Sequence, residues 1–493
     1  MGAPRLSRHA ATRAGVARPG FAPEAHGAGI VHIGAGAFHR AHQAVYTDDA
    51  LAAAGGDWRI TGVSLRSTDI ADALNPQDGL YTLIVHDPAV TRARVVGSIA
   101  RVIAAAREPG ATLAALADPA TRIVTTTVTE KAYGIARGAG VDPASPAIAA
   151  DLANPRFPSG VIGLLVEALR LRRAAGDAPF TVLCCDNLPD NGALLRLGVV
   201  DFAGRLDSDL ADWIAAEGAF PSSMVDRITP APTATTLALA RELTGCEDMA
   251  AVETEPFSQW VIENRFVAGR PRWEAGGALF VEAIAPYERM KLRMLNGTHS
   301  MLAYCGYLTG CTYVRDVMAR PDLAALVGRH LAAARSTLES VGGIDLGRYA
   351  DDLRARFANP AIAHQTYQIA MDGTEKLPQR IFEPALELLG RGAGIRPFAF
   401  AAAAWMRYCL GRTDAGETYA LRDPREAQIR RALEGAGNAA AISAALTALP
   451  GFVPERLAAH PVWRAEVEDA LGAMLSGGMA AAVRAEAAAA AVL

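Results

Sequence analysis

The sequence predicts an α/β fold: a parallel, doubly wound sheet in the first half, followed by a mostly α-helical second half. Three observations predict it. Short β-branched runs alternate with helical patterns up to about residue 284. A glycine loop directly follows the first of these runs. From 285 onward the β-branched runs give way to Ala/Leu/Arg stretches of helical spacing.

The elements follow in order. "GIVHI" (29–33) is a short apolar run that ends in glycine, and "AHQAVYTDDALAAAG" continues it with helical spacing. "WRITGVSL" (58–65), "YTLIVH" (81–86) and "TRIVTTTVTE" (121–130) read as strands. "VIGLLVEALRLRRAAG" (161–176) is an amphipathic helix stopped by Gly176. "FTVLCCDN" (180–187) is a buried strand with a polar end, closed by the turn "LPDNG". A domain boundary is expected near 284, after the strand-like "ALFVEAI". Beyond it, "PDLAALVGRHLAAARSTLESV" and "PERLAAHPVWRAEVEDALGAML" read as helices. The expected organisation is an arm over 1–28, a nucleotide-binding domain over 29–284 and a helical domain over 285–493.

Composition narrows the function. With 51% hydrophobic and 20% charged residues and a net charge of −4, a large ordinary core is expected and a nucleic-acid binder is not. No apolar run reaches the roughly 18 residues of a membrane span. The acid-free "MGAPRLSRHAATRAGVARPGFAP" has no apolar core of a signal peptide, and it reads as a loose arm in preference to a transit peptide. The six cysteines form no C-x-x-C pair, which argues against a zinc site and fits a reducing cytoplasm.

The glycine loop is Gly34-Ala35-Gly36, after a strand and before a helix. The first glycine permits the tight turn. The second lets backbone approach a pyrophosphate at the helix N-terminus. A full G-x-G-x-x-G needs glycine at 39, where this chain has His39. Arg40 is a candidate for reaching a phosphate. His32, His39 and His42 lack metal-ligand spacing and read as structural. An acid at the end of the second strand would bind the adenosine ribose, yet Arg66 and Ser67 stand there and the nearest acid is Asp69. An Arg at that place suits a 2′-phosphate, so the residues alone leave NAD and NADP open.

Of 48 basic residues only three are lysine: Lys131, Lys291 and Lys376. In a chain that writes arginine almost everywhere, each lysine is informative. Taking "YERMKLRMLNGTHS" as helical at about 100° per residue, and Lys291 as zero, Glu288, His299 and Asn296 fall near 60°, 80° and 140°. Leu292 and Leu295 share that face, whereas Arg293 falls on the far side near 200°. Oxidising an alcohol needs a base for the hydroxyl proton. A lysine can lose its proton where burial and neighbours disfavour the charge, whereas a guanidinium stays protonated. Asn296, and Asn187 at the carboxyl edge of the sheet, can donate to a developing alkoxide. His299 can hold a substrate hydroxyl and Glu288 can pass the proton to water. No metal is required. Lys131 and Lys376 would explain the lysine imbalance if all three face one pocket.

"GAGAFHRAHQ", "QDGLYTL", "TVTEKAY", "CDNLPDNG", "MVDRITP", "WVIENRF" and "MKLRMLNGTHS" together resemble the polyol-specific long-chain dehydrogenase/reductase family, also called the mannitol dehydrogenase family. The resemblance covers nearly the whole chain. It implies a Rossmann-type N-terminal domain, a mostly helical C-terminal domain and a metal-independent mechanism. It makes Lys291 the acid/base, Asn187 and Asn296 the oxyanion-stabilising pair, His299 the substrate-orienting residue and Glu288 the proton-exchange glutamate. Asp226 matches an aspartate near the nicotinamide. The cofactor set is then Gly34, Gly36, Phe38, His39, Arg40, Arg66 and Asp226, and the cofactor is NAD. Lys131, Gln368 and Lys376 are the expected substrate contacts. "TEKAY" and "YQIAMDGTEKLPQR" look more like members that interconvert D-mannonate and D-fructuronate than like the mannitol/fructose members, with tagaturonate or a pentitol behind. The implied partner is a small sugar acid or polyol, with no protein partner evident. Two other classes are weighed against this: a dinucleotide-binding regulator without turnover, and a zinc-dependent alcohol dehydrogenase.

Overall fold

The computed structural model describes residues 3–129, 132–136, 138 and 140–489. The chain divides into two compact units, Met1–Ala285 and Pro286–Leu493.

The first unit is built on five parallel strands: β1 (Ala28–Ile33), β2 (Arg59–Ser64), β3 (Ile99–Ala104), β4 (Ile123–Thr126) and β5 (Thr181–Cys184). Their order in the sheet is β3-β2-β1-β4-β5, all parallel. The chain therefore starts in the middle, winds out to one edge and returns to wind the other way. That order places a switch point at β1 and β4, where ligands bind beyond the carboxyl ends in such sheets. Alternating side chains feed two cores. Val31, Ile33, Val124, Val182 and Cys184 pack on one face with the helix Val161–Ala175. Ile30, Ile60, Ile123, Leu183 and Cys185 pack on the other. Burial on both faces accounts for the continuous apolar reading of these strands.

Other elements differ from the expected pattern. Tyr81–His86 is a strand as expected, yet it lies outside the parallel sheet. It pairs antiparallel with Thr91–Val96 and parallel with Val252–Thr254. The helix expected across 41–55 breaks at His42 (φ −126°, ψ −92°) into Ala37–Ala41 and Gln43–Ala54. His42 Nε2 is held there by the Gln259 carbonyl at 2.9 Å. The arm read as loose is packed: Leu6 is fully buried beside Leu80, Val95 and Cys246, and the Leu6 amide donates to the Glu247 carbonyl. Ala10 and Val16 pack beside Leu6, Arg8 pairs with Asp78, and the Ala17 carbonyl accepts from the Val95 amide, so scattered contacts anchor a segment whose composition suggested none.

The second unit is helical, with only isolated bridges such as Tyr313 to Gln365 among its described residues. Its centre is the helix Gly297–Leu308, buried at every position from Gly297 to Gly306. Around it pack Pro321–Ser336, Arg396–Tyr408 and Thr366–Ala370. A helix apolar on all sides belongs inside a bundle. The run Ala401–Ala404 keeps Arg396–Tyr408 slim enough to approach closely. No helix among the described residues is long and apolar enough to cross a membrane.

Candidate functional site

The glycine loop forms as its sequence requires. Gly34 has φ +102°, and a Cβ there would fall on the Thr127 carbonyl oxygen. The Gly34 and Ala35 amides donate to the Val63 carbonyl, tying the loop to the end of β2. A Cβ on Gly36 would meet only the Gly34 carbonyl oxygen, at 3.7 Å, so backbone is open there. A left-handed glycine, an open second glycine and a helix start fit a dinucleotide pyrophosphate. His39 stands where a third glycine is usual and stacks on His32 of β1, ring centroids 3.4 Å apart. His32 in turn contacts Thr125 and Thr127 through its two ring nitrogens. Burial pushes His32 down to about 3, and His39 lies well below the usual range from burial and then His32. Both imidazoles are therefore neutral packing pieces. Phe38 stacks on His42 at 5.2 Å.

Arg40 is a correction. Its side chain is buried, and its guanidinium donates to the carbonyls of Ala35 (2.8 Å) and Ala250 (3.3 Å). It braces the loop from behind and does not reach toward a phosphate. Arg66 is exposed beyond β2 and, among the described residues, has no ion-pair partner. Asp226 is buried at the end of the strand Ser223–Asp226, opposite Gln259.

Asn187 lies three residues past β5, exposed at the carboxyl edge of the sheet. Its neighbour Asp186, which the sequence reading passed over, holds this edge together. One carboxylate oxygen accepts from the Val128 amide (3.1 Å) and from the Tyr133 hydroxyl (2.5 Å). Burial pushes the Asp186 carboxyl up to about 6 against the opposing bond from Tyr133. Val128 and Tyr133 bracket Lys131, which itself lies outside the described residues. Asn191 completes the turn by donating to the carbonyls of Asp186 and Ser223.

In the second unit, Glu288 sits half-buried in the helix Ala285–Met290. The next six residues, Lys291–Asn296, form a π-helix rather than the regular helix expected. Such wide turns are rare and concentrate at functional sites. A second π-segment, Pro378–Phe382, packs against the first. Arg380 Nη1 donates to the Asn296 carbonyl (3.3 Å) and the Ser300 hydroxyl (3.2 Å), serving backbone that the wide turn leaves open. Lys291 is 7% exposed. Arg293 does point elsewhere: it is buried and grips the Glu387 carboxylate with two bonds, 2.8 and 2.5 Å, plus the Thr337 carbonyl.

His299 is buried against Phe357 and His364, with ring centroids 4.6 and 5.3 Å away. Its Nε2 has no hydrogen-bond partner. Burial first, then the charges of His364, Arg356, Arg380 and Lys291, hold it well below the usual histidine range. A neutral imidazole with an open nitrogen, ringed by cations, can bind a hydroxyl. Lys376 acts on this group through His364. Its Nζ donates to the carbonyls of Met371 (2.6 Å) and Ile369 (3.3 Å), and burial pushes it down to about 8. Lys291 and Lys376 thus flank one histidine pair. Gln368 is exposed on Thr366–Ala370 and is not among the groups acting on His299. Arg356, His364 and Arg380 are additions that the sequence reading missed. Arg380 was visible as the last residue of "YQIAMDGTEKLPQR", and the other two carry no local signal.

A dinucleotide loop in one unit and a lysine–asparagine–histidine group in the other define a nucleotide-dependent oxidoreductase acting on CH–OH groups. Residues 28–275 match the mannitol dehydrogenase Rossmann domain and residues 283–474 the mannitol dehydrogenase C-terminal domain, so the chain belongs to the mannitol dehydrogenase family. One relative is the D-mannonate oxidoreductase of Escherichia coli, 42% identical over 422 residues, or 84% of this chain and 87% of the relative. The mannitol 2-dehydrogenase of Cereibacter sphaeroides is 40% identical over 475 residues, 95% and 98% of the two chains. A solved ternary complex of Pseudomonas fluorescens mannitol 2-dehydrogenase with NAD and D-mannitol has a TM-score of 0.86 at 36% identity, covering 98% of this chain and 99% of that one.

Proposed function

We propose that this protein is an NAD-dependent oxidoreductase that interconverts D-mannonate and D-fructuronate, with Lys291 as acid/base. The observation that carries the reading is the group around His299. Lys291 and Asn296 bound one π-segment, and the neutral His299 next to it keeps an open nitrogen among cations.

In the direction of oxidation, the Lys291 amine takes the proton of the reacting hydroxyl. Asn187 and Asn296 donate their amide N–H groups to the oxygen as it gains charge. His299 holds a neighbouring hydroxyl through Nε2, and Glu288 relays the proton from Lys291 to water. The first unit holds the nucleotide at Gly34 and Gly36, with Asp226 and Phe38 near it. NAD, when bound, supplies the hydride acceptor. Lys376 favours the charge of a sugar acid; Lys131, the other expected contact, lies outside the described residues. The motifs "TEKAY" and "YQIAMDGTEKLPQR" support the substrate, and the D-mannonate oxidoreductase relative is as similar to this chain as the mannitol 2-dehydrogenases, which is compatible with either. Mannitol/fructose is the second reading, favoured by the likeness to a complex containing D-mannitol.

The test is initial rates of purified protein with fructuronate, tagaturonate, fructose and mannitol, each with NAD(H) and NADP(H). Preference for fructuronate with NADH is expected, unaffected by chelators. Lys291→Ala is expected to lose about a thousandfold in turnover. A strong preference for mannitol or fructose sinks the substrate assignment. Near-normal turnover in Lys291→Ala, or sensitivity to chelators, sinks the mechanism.

A further inference from the structure

Several buried or half-buried arginines of the second unit end on carboxylates, and Arg380 does not. Arg293 holds Glu387, Arg396 holds Glu466, Asp469 and Glu486, and Arg407 holds Asp414. Arg329 also ends on Glu486. Guanidinium groups withdrawn from water are normally compensated in this way. Arg380 is partly buried and, among the described residues, has no carboxylate within ion-pair distance. Among the described residues its side-chain bonds are those of Nη1 to the Asn296 carbonyl and the Ser300 hydroxyl. A guanidinium has five N–H donors in a planar fork, so most of this one is unspent.

Its surroundings are cationic on balance. Arg380, Arg356 and Lys291 all act on His299, and Asp372, which acts on Arg380 from beyond ion-pair distance, is paired with Lys376 at 3.8 Å. Burial pushes the Arg380 guanidinium down to about 10, which still leaves it charged at neutral pH. Among the described residues, the buried Nε2 of His299 has no hydrogen-bond partner, and the next residue, Ser300, accepts from Arg380, so an unsatisfied ring nitrogen and an underused guanidinium lie on neighbouring residues.

We infer that Arg380 recognises a carboxylate on the substrate and so selects a sugar acid over a neutral polyol. Nη1 stays with the backbone of the π-segment, and the other nitrogens form charge-assisted bonds to the carboxylate. Arg380 is a specificity residue in this assignment, since it takes no part in proton transfer. The inference rests on the reading of Lys291 and His299 as the reacting face.

The experiment is steady-state kinetics of the full chain with NADH and either D-fructuronate or D-fructose. Losing one charge-assisted pair predicts that Arg380→Leu lowers kcat/KM for fructuronate about 30-fold more than for fructose, with the excess in KM, because any loss of bracing at Asn296 and Ser300 falls on both ketoses alike. Arg380→Lys is expected to recover part of the lost affinity. Equal losses on both ketoses, or a loss confined to kcat, overturn the inference and assign Arg380 to bracing the π-segment. A wild-type measurement guards against a variant that fails to fold: inhibition by D-gluconate against D-glucitol, which differ at the terminal carbon. Tighter inhibition by D-gluconate is expected, and equal or weaker inhibition overturns the inference without any variant. Fructose turnover without fructuronate turnover also overturns it while leaving Lys291 standing. Turnover of neither ketose removes the underlying reading as well.

Discussion

At the scale of single residues, the contrast between Lys291 and Arg293 is a contrast of protonation chemistry. Arg293 is committed to a permanent charge by its two bonds to Glu387. In the proposed mechanism Lys291 gives up a proton, so Lys291→Arg is expected to be nearly as inactive as Lys291→Ala while still binding NADH, read by fluorescence titration. Asp186 offers a second test. Its carboxyl is pushed up to about 6 by burial, above the value of about 3.9 in an unfolded chain. Between those values the native state keeps a proton that the unfolded state has lost. Stability contributed by this group is therefore fully present at low pH and falls as pH rises from about 4 to about 6, by ~3 kcal/mol in all. Asp186→Asn removes that slope. Urea unfolding of both proteins at several pH values is expected to show the wild type losing ground to the variant across that window, and parallel curves would refute the assignment. Lys291, Asn187, Asn296 and His299 could be proposed from type, spacing and family resemblance. Asp186 was not, because its importance comes from partners at Val128 and Tyr133, more than 50 positions away.

At the scale of elements, the glycine loop and the last helix make opposite demands. Gly34 is needed for what it lacks: any side chain at φ +102° meets the Thr127 carbonyl. Gly34→Ala is expected to cost about 2 kcal/mol or more and to abolish the thermal shift given by NADH. The helix Met479–Ala489 is anchored by the buried Met479, Ala482 and Val483 and by one charge. Glu486 is 6% exposed and bonds Arg329 (2.9 Å) and Arg396 (2.9 Å). Glu486→Ala strands Arg329, leaves Arg396 with Glu466 and Asp469, and is expected to destabilise the protein by about 2 kcal/mol, seen in chemical denaturation. Its composition told that this segment was a helix. The ion network that docks it joins residues about 157 positions apart and has no local signature. The π-segment was missed for a related reason. Periodicity in "KLRMLNGTHS" supports any helix, whereas the wider turn depends on Arg380 and Gly297 meeting across the bundle.

At the scale of the whole molecule, the dinucleotide loop lies in the first unit and Lys291 in the second. A ligand that binds only the native state at about 100 times its Kd adds ~2.7 kcal/mol, so NADH is expected to raise the unfolding temperature of wild type and Lys291→Ala alike. Loss of that shift in Lys291→Ala would contradict the division of labour. The sequence by itself determined the alternation that makes a parallel sheet, the loop that accepts a pyrophosphate, the lysine that stands out among arginines, and the family to which all of these belong. These are local patterns, set by backbone stereochemistry and residue type. Only the tertiary structure decided that Arg40 turns inward onto Ala35 and Ala250, that Leu6 anchors the arm, and that His364 and Arg380 close around His299. Those outcomes depend on which distant side chains share a desolvated space, and burial and charge compensation are properties of that space rather than of any stretch of chain.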